Sequence, residues 1–127
     1  CSITQAAAAE AVNQDPSIAH SMLEAFLRRR NAMHADLSKV PGIKLNLPMG
    51  AFYLFPDISD LFGLSYNGRT LNNSEDVAMY LIEEAHVATV SGAAFGTPEC
   101  IRISYAAADE VLAEAVRRID TAVRKLS

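Results

Sequence analysis

Hydrophobic residues recur along this chain at spacings of three, four and seven in some stretches and of two in others, and the two periods predict its helices and strands. An alanine-rich stretch over residues 4–13 favours a helix because alanine loses almost no side-chain entropy there. Asp15-Pro16 then reads as an N-cap followed by proline at the first helical position, where a missing donor costs nothing. It opens a long amphipathic helix with Ile18, Met22, Phe26, Met33 and Leu37 on its apolar side, stopped before Pro41-Gly42. Beyond that stop Ile43, Leu45 and Leu47 alternate with polar residues. A strand over 43–47, a turn at Pro48-Met49-Gly50 and a second strand over 51–55 therefore read as a hairpin.

Residues 56–73 lose the period and read as a long loop, of a length that is usually functional or mobile inside a compact domain. Asn73-Ser74-Glu75-Asp76 supplies capping side chains and first-turn acids for a helix bearing Val77, Leu81 and Ala85. Residues 86–90 read as a strand, 91–99 as a glycine-punctuated loop and 100–105 as another strand. Asp109-Glu110 starts a closing helix whose Leu112, Ala115, Val116, Ile119, Val123 and Leu126 share a face. Short strands interleaved with helices predict an α+β fold, a small and mainly antiparallel sheet with helices packed on one face.

Composition narrows the function classes. The chain has 127 residues, 50% hydrophobic and 20% charged, which fits one globular domain, or one domain plus a remnant of another. Its net charge is −4, and its only basic cluster, Arg28-Arg29-Arg30, lies inside the amphipathic helix, so neither nucleic acid nor an anionic membrane is an expected partner. No apolar run is long enough to span a bilayer. Two cysteines, Cys1 and Cys100, make neither a zinc pattern nor a disulfide framework, and the cytoplasm is the expected setting. The chain opens at Cys1-Ser2-Ile3-Thr4-Gln5 without an initiator methionine, as a cut through a longer protein would.

Chemistry concentrates around Ile101-Arg102-Ile103-Ser104-Tyr105. Alternation along a strand puts Ile101, Ile103 and Tyr105 on one face and Arg102 and Ser104 on the other. A guanidinium on a rigid strand presents a planar fork suited to a carboxylate or phosphate; a solvated arginine, or one paired to a nearby acid, fits the same pattern. Just upstream, the small residues of Ser91-Gly92-Ala93-Ala94-Phe95-Gly96 allow close backbone approach, with Phe95 able to wall a pocket, although an ordinary connection reads the same way. The aromatic residues of Gly50-Ala51-Phe52-Tyr53 read as core or as part of a site. His20, His34 and His86 lack metal-ligand spacing, and Cys100 reads as a small hydrophobe.

Three runs taken in order closely resemble the C-terminal part of class I pyridoxal-phosphate aminotransferases, in particular the aspartate aminotransferase group. They are Gly50-Ala51-Phe52-Tyr53-Leu54-Phe55-Pro56-Asp57, Val87-Ala88-Thr89-Val90-Ser91-Gly92-Ala93-Ala94-Phe95-Gly96 and Ile101-Arg102-Ile103-Ser104-Tyr105-Ala106. The resemblance implies that residues 1–14 are a remnant of the large domain and its connecting helix, and that residues 15–127 are the small domain. It implies transamination between amino acids and 2-oxo acids, aspartate and 2-oxoglutarate by overall likeness, in a homodimer. It also implies a pyridoxal phosphate cofactor held by a lysine of the large domain, and it makes Arg102 the residue that grips the substrate α-carboxylate.

Lys39, Lys44 and Lys125 lack the small-residue setting of the family's Schiff-base lysine, so the chain is expected to have no catalytic or cofactor-binding residue of its own and to be inactive alone. The family commonly has proline where this chain has Ser91, which leaves the entry to the glycine loop less restricted in φ. Movement of the 57–73 segment on substrate binding is a further expectation. Two rival readings remain at this point: a free-standing α+β module that binds a small carboxylate through Arg102, and a dimerisation domain built on the helix after Pro16.

Overall fold

The computed structural model describes every residue, Cys1–Ser127. Four helices are α1 (Ser2–Asn13), α2 (His20–Leu37), α3 (Ser74–Tyr80) and α4 (Asp109–Val123). Five short strands are β1 (Tyr53–Leu54), β2 (Ser65–Tyr66), β3 (Arg69–Thr70), β4 (Val90–Ser91) and β5 (Ile101–Ser104). The central sheet has the order β1-β5-β4 and is antiparallel throughout, with Tyr53 opposite Ser104 and Val90 opposite Arg102. Its inner face contributes Leu54, Ile101 and Ile103 to a core completed by Met33 and Leu37 of α2, Val77 and Tyr80 of α3, and Leu112, Val116, Ile119 and Val123 of α4. The predicted α+β layer with helices on one side of a small sheet is the fold observed.

Capping chemistry sets several boundaries. Asp15 accepts from the Ser17 amide at 2.8 Å, but Pro16–Ala19 form a 3-10 turn before α2 proper. At α3, Asn73 accepts from the Glu75 and Asp76 amides, which satisfies two otherwise orphaned donors. This helix continues as one π turn over Leu81–Ala85 and ends at left-handed His86. α4 begins where predicted, and Arg28 and Arg29 both bond to Asp109 in its first turn, tying α2 to α4. Arg28 and Asp109 are solvent-exposed and Arg29 half-buried, so the link orients the helices more than it stabilises them.

The predicted hairpin of 43–47 with 51–55 does not form. Lys44 makes a single antiparallel bridge to Asp57, and Tyr53–Leu54 pair with β5 instead. The alternation was only partly a burial pattern: Ile43 is buried, Leu45 half-buried and Leu47 exposed. Strand 86–90 also shrinks, because His86 at φ 55 turns the chain and only Val90–Ser91 reach the ladder. Cys100 falls just outside β5, in an isolated bridge to Asp57. Segment 56–73 is not a structureless loop. Asn67 (φ 49) and Gly68 (φ 80) supply the left-handed pair of a two-residue hairpin turn between β2 and β3. Ile58, Leu61 and Leu71 enter the core, and Ser65 exchanges two backbone hydrogen bonds with Ser127.

In α2, Met33 and Leu37 are buried and Phe26 half-buried, but Met22, and Ile18 in the 3-10 turn before it, are 61% and 75% exposed. The helical spacing was real; no part of these 127 residues lies against the first half of that stripe. No residue of α1 is buried.

Tyr80 gives the core its polar anchor. Its hydroxyl donates to the Ala122 carbonyl at 2.8 Å, and burial, followed by Glu84 and Tyr66, pushes the phenol from 10.0 up to about 12. A folded pKa raised in this way stabilises the protein fully below pH 10, and that contribution is lost as pH rises towards 12. Thermal melts across that window should therefore show an alkaline loss of stability that is reduced in Tyr80→Phe. At neutral pH the same variant should be less stable by about 1 kcal/mol, the net worth of one hydrogen bond.

Candidate functional site

β5 buries Ile101 and Ile103 and leaves Arg102 half-buried and Ser104 exposed. Alternation thus delivers Arg102 to the sheet face that no helix covers. Its guanidinium carbon lies 4.4 Å from the Tyr53 ring centroid and 4.4 Å from the Phe95 centroid. Among the eight arginines of the chain this environment is unusual. Arg28, Arg29, Arg69, Arg117, Arg118 and Arg124 pair with carboxylates, and Arg30 donates to the Pro48 carbonyl and to Asn31. Arg102 alone has neither an ion pair nor a protein hydrogen-bond acceptor. Of the sequence alternatives, the internally paired arginine is therefore not what the fold contains.

Each ring is held from behind. Tyr53 packs at a tilt against Phe52 at 4.5 Å, and Phe52 stacks on Phe26 of α2 at 6.0 Å. Ala51, at φ 59, turns the chain into β1, and the Tyr105 hydroxyl donates to its carbonyl at 3.0 Å. Neither Phe52 nor Tyr53 is core, since Phe52 is 41% exposed and Tyr53 half-buried.

Phe95 sits at the end of a 3-10 turn, Gly92–Phe95, and meets Phe55 edge to face. Ser91 starts that turn, accepting from the Ala93 amide and sharing a 2.8 Å hydroxyl contact with fully buried Ser74 of α3. Gly92 donates to the Cys100 carbonyl at 2.7 Å. The expected looseness at Ser91 is offset by these side-chain bonds, which fix the turn without a proline ring.

The other candidates do not join this site. No group of histidines, cysteines and acids could hold a metal ion. The Cys100 thiol is buried and pushed up in pKa, chiefly by burial and then by Asp57 and Glu99. Lys39, Lys44 and Lys125 are tied to Asp36, Asp60 and Glu84 respectively. A pocket of about 170 Å³ lies between α2 and α4 and takes no residue from the open sheet face. Sequence reasoning singled out Arg102 and Phe95 but left Tyr53 open between core and site, because its place beside Arg102 follows from the pairing of β1 with β5.

Comparison with known proteins gives consistent matches. The family model for aminotransferase class I and II matches residues 1–119. The chain is 44% identical to an aspartate/prephenate aminotransferase of Cereibacter sphaeroides, over 100% of this chain and 32% of that protein. It is 38% identical to an aspartate aminotransferase of Rhizobium meliloti, over 99% of this chain and 31% of that protein. The crystal structure of the aspartate aminotransferase from Rhizobium meliloti superposes with a TM-score of 0.91 at 38% identity, covering 99% of this chain and 32% of that one. An aromatic aminotransferase structure from Pyrococcus horikoshii gives 0.77 at 34% identity, over 93% and 30%. The chain spans a third or less of the length of these relatives.

The turn that carries Phe95 has no room for a side chain at Gly92, where an added Cβ would lie 2.9 Å from the Cys100 carbonyl carbon and closer still to the Thr97 and Cys100 carbonyl oxygens. Gly92→Ala should therefore lower stability by about 2 kcal/mol, as forced overpacking does. Urea unfolding checks this, and a midpoint equal to that of the parent chain would contradict the packing described.

Proposed function

The chain belongs to the class I and II aminotransferase family, and from that premise we propose that it is the small domain of an aspartate aminotransferase-type enzyme, with Arg102 gripping the α-carboxylate of the amino acid or 2-oxo acid substrate. What carries the reading is a rigidly based guanidinium on an open sheet face, lying over the rings of Tyr53 and Phe95 and paired with no acid of its own chain. Two parallel N–H···O bonds from such a fork set both the position and the orientation of a carboxylate, which a point charge does not. Arg102 is half-buried beside these rings, and a charge-assisted bond is worth more where the local dielectric is lower.

Aminotransferases of this family use pyridoxal phosphate, which supplies the electron sink for the reaction. The residues of this chain do not fit as its holders. All three lysines lie at the surface in ion pairs with carboxylates, and none stands beside Arg102. We therefore assign this chain the binding and orienting of substrate, with the cofactor and the proton-transferring lysine carried by a large domain outside these residues. In that arrangement residues 15–127 are the small domain and 1–14 are part of the connection. Support comes from α1, which buries none of its residues against the rest of the chain. The proposed substrates are aspartate and 2-oxoglutarate, in a homodimeric enzyme. No helix is long and apolar enough to cross a membrane.

Two outcomes follow. The 127-residue chain, supplied with pyridoxal phosphate, aspartate and 2-oxoglutarate, should give no transamination above the cofactor-only rate in a coupled assay for oxaloacetate. In the full-length enzyme, Arg102→Lys should keep the parent cofactor absorbance while kcat/KM for the amino-acid half-reaction falls about 10- to 100-fold, the worth of a lost charge-assisted bond. Parent kcat/KM in that variant would refute the assignment.

A further inference from the structure

A strand arginine facing outward needs something to hold its long side chain still, and proteins usually use an acid partner for this. An acid beside Arg102 would occupy the same N–H groups that a substrate carboxylate needs and would cancel the charge. Here the guanidinium carbon instead lies over two aromatic rings, Tyr53 and Phe95, at equal centroid distances of 4.4 Å. Stacking is felt through the faces of the ion, whereas hydrogen bonds leave from its edge. The two kinds of contact therefore do not compete.

We propose that Tyr53 and Phe95 are positioning residues for carboxylate binding, an aromatic clamp that fixes the plane of the Arg102 guanidinium while leaving its donors free. This rests on the assignment of Arg102 as the carboxylate grip. The two jaws are supported independently. Tyr53 is backed by Phe52 and Phe26, and thus by α2. Phe95 is backed by Phe55 and by the turn that Ser91 pins to Ser74, and thus by α3. The two jaws come from different parts of the fold, β1 and the Gly92–Phe95 turn, brought to Arg102 by the strands that pair with β5 on either side. Phe95 is 47% exposed, which makes truncation there a test of the site more than of folding.

The experiment uses the full-length enzyme as parent, Phe95→Leu, Tyr53→Leu, Phe95→Tyr and Arg102→Lys, with maleate as the dicarboxylate probe. Phe95→Leu and Tyr53→Leu should each weaken maleate binding about five- to thirtyfold and raise KM for aspartate more than they lower kcat, with the cofactor absorbance unchanged. Phe95→Tyr, which keeps a ring, should restore parent affinity. In parent enzyme labelled with nitrogen-15 arginine, the Arg102 Nε–H proton should resonate upfield of the other arginines through the two ring currents, and lose part of that shift in Phe95→Leu. Parent maleate affinity in both leucine variants, or an unshifted Nε–H signal in the parent, would overturn the clamp. The two proposals fail separately. If Arg102→Lys binds maleate as the parent does, the carboxylate assignment falls; if only that variant weakens binding, the assignment stands and the clamp falls.

Discussion

A two-sided strand covered by helices on one side only must send every second side chain to the uncovered face, and β5 sends an arginine there. Ile101, Ile103 and Tyr105 are buried, and the core they join fixes the strand that carries Arg102. Because the base is rigid, the guanidinium needs orientation only, and the rings of Tyr53 and Phe95 that it lies over contact it without accepting a hydrogen bond from it. Moving the register by one residue would put an isoleucine on the open face and a charge in the core.

The rest of the molecule reads as support for that geometry. Tyr105 serves twice, packing in the core and holding the left-handed Ala51 turn from which β1 departs. The hydroxyl pair of Ser74 and Ser91 joins the start of α3 to the turn bearing Phe95, and Gly92 lets that turn lie directly on the Cys100 carbonyl. Segment 56–73, with its own two-stranded hairpin and its anchor at Ser127, adds Ile58, Leu61 and Leu71 to the core and through Asp57 bridges to Lys44 and Cys100.

Local signals were legible in the sequence, and pairings distant in sequence were not. The stripe of α4, the caps at Asp15 and Asn73 and the alternation of β5 each depend on neighbours within a few residues. The partner of β1 does not. Ile43, Leu45 and Leu47 offered a plausible alternating strand nearby, yet the ladder went to β5, about fifty residues on, because Leu54 and Ile103 share the core. The same blindness left Tyr53 undecided between core and site, since its place depends on lying opposite Ser104, while Phe95 was visible because its loop directly precedes the strand. Two-residue strands such as β2 and β3 are too short to show a period, although Asn67-Gly68 carried the turn chemistry. The apolar spacing of the 3-10 turn and early α2 was read correctly as a pattern; Ile18 and Met22 nevertheless lie exposed, since a period in sequence does not name the surface that covers it.

The most direct test is a crystal structure of the full-length enzyme with a bound dicarboxylate. One carboxylate should accept two parallel bonds of about 2.8 Å from Arg102, with both rings still stacked on the guanidinium. A carboxylate seated away from Arg102, or an Arg102 turned onto an aspartate or glutamate of the enzyme, would contradict the proposed grip.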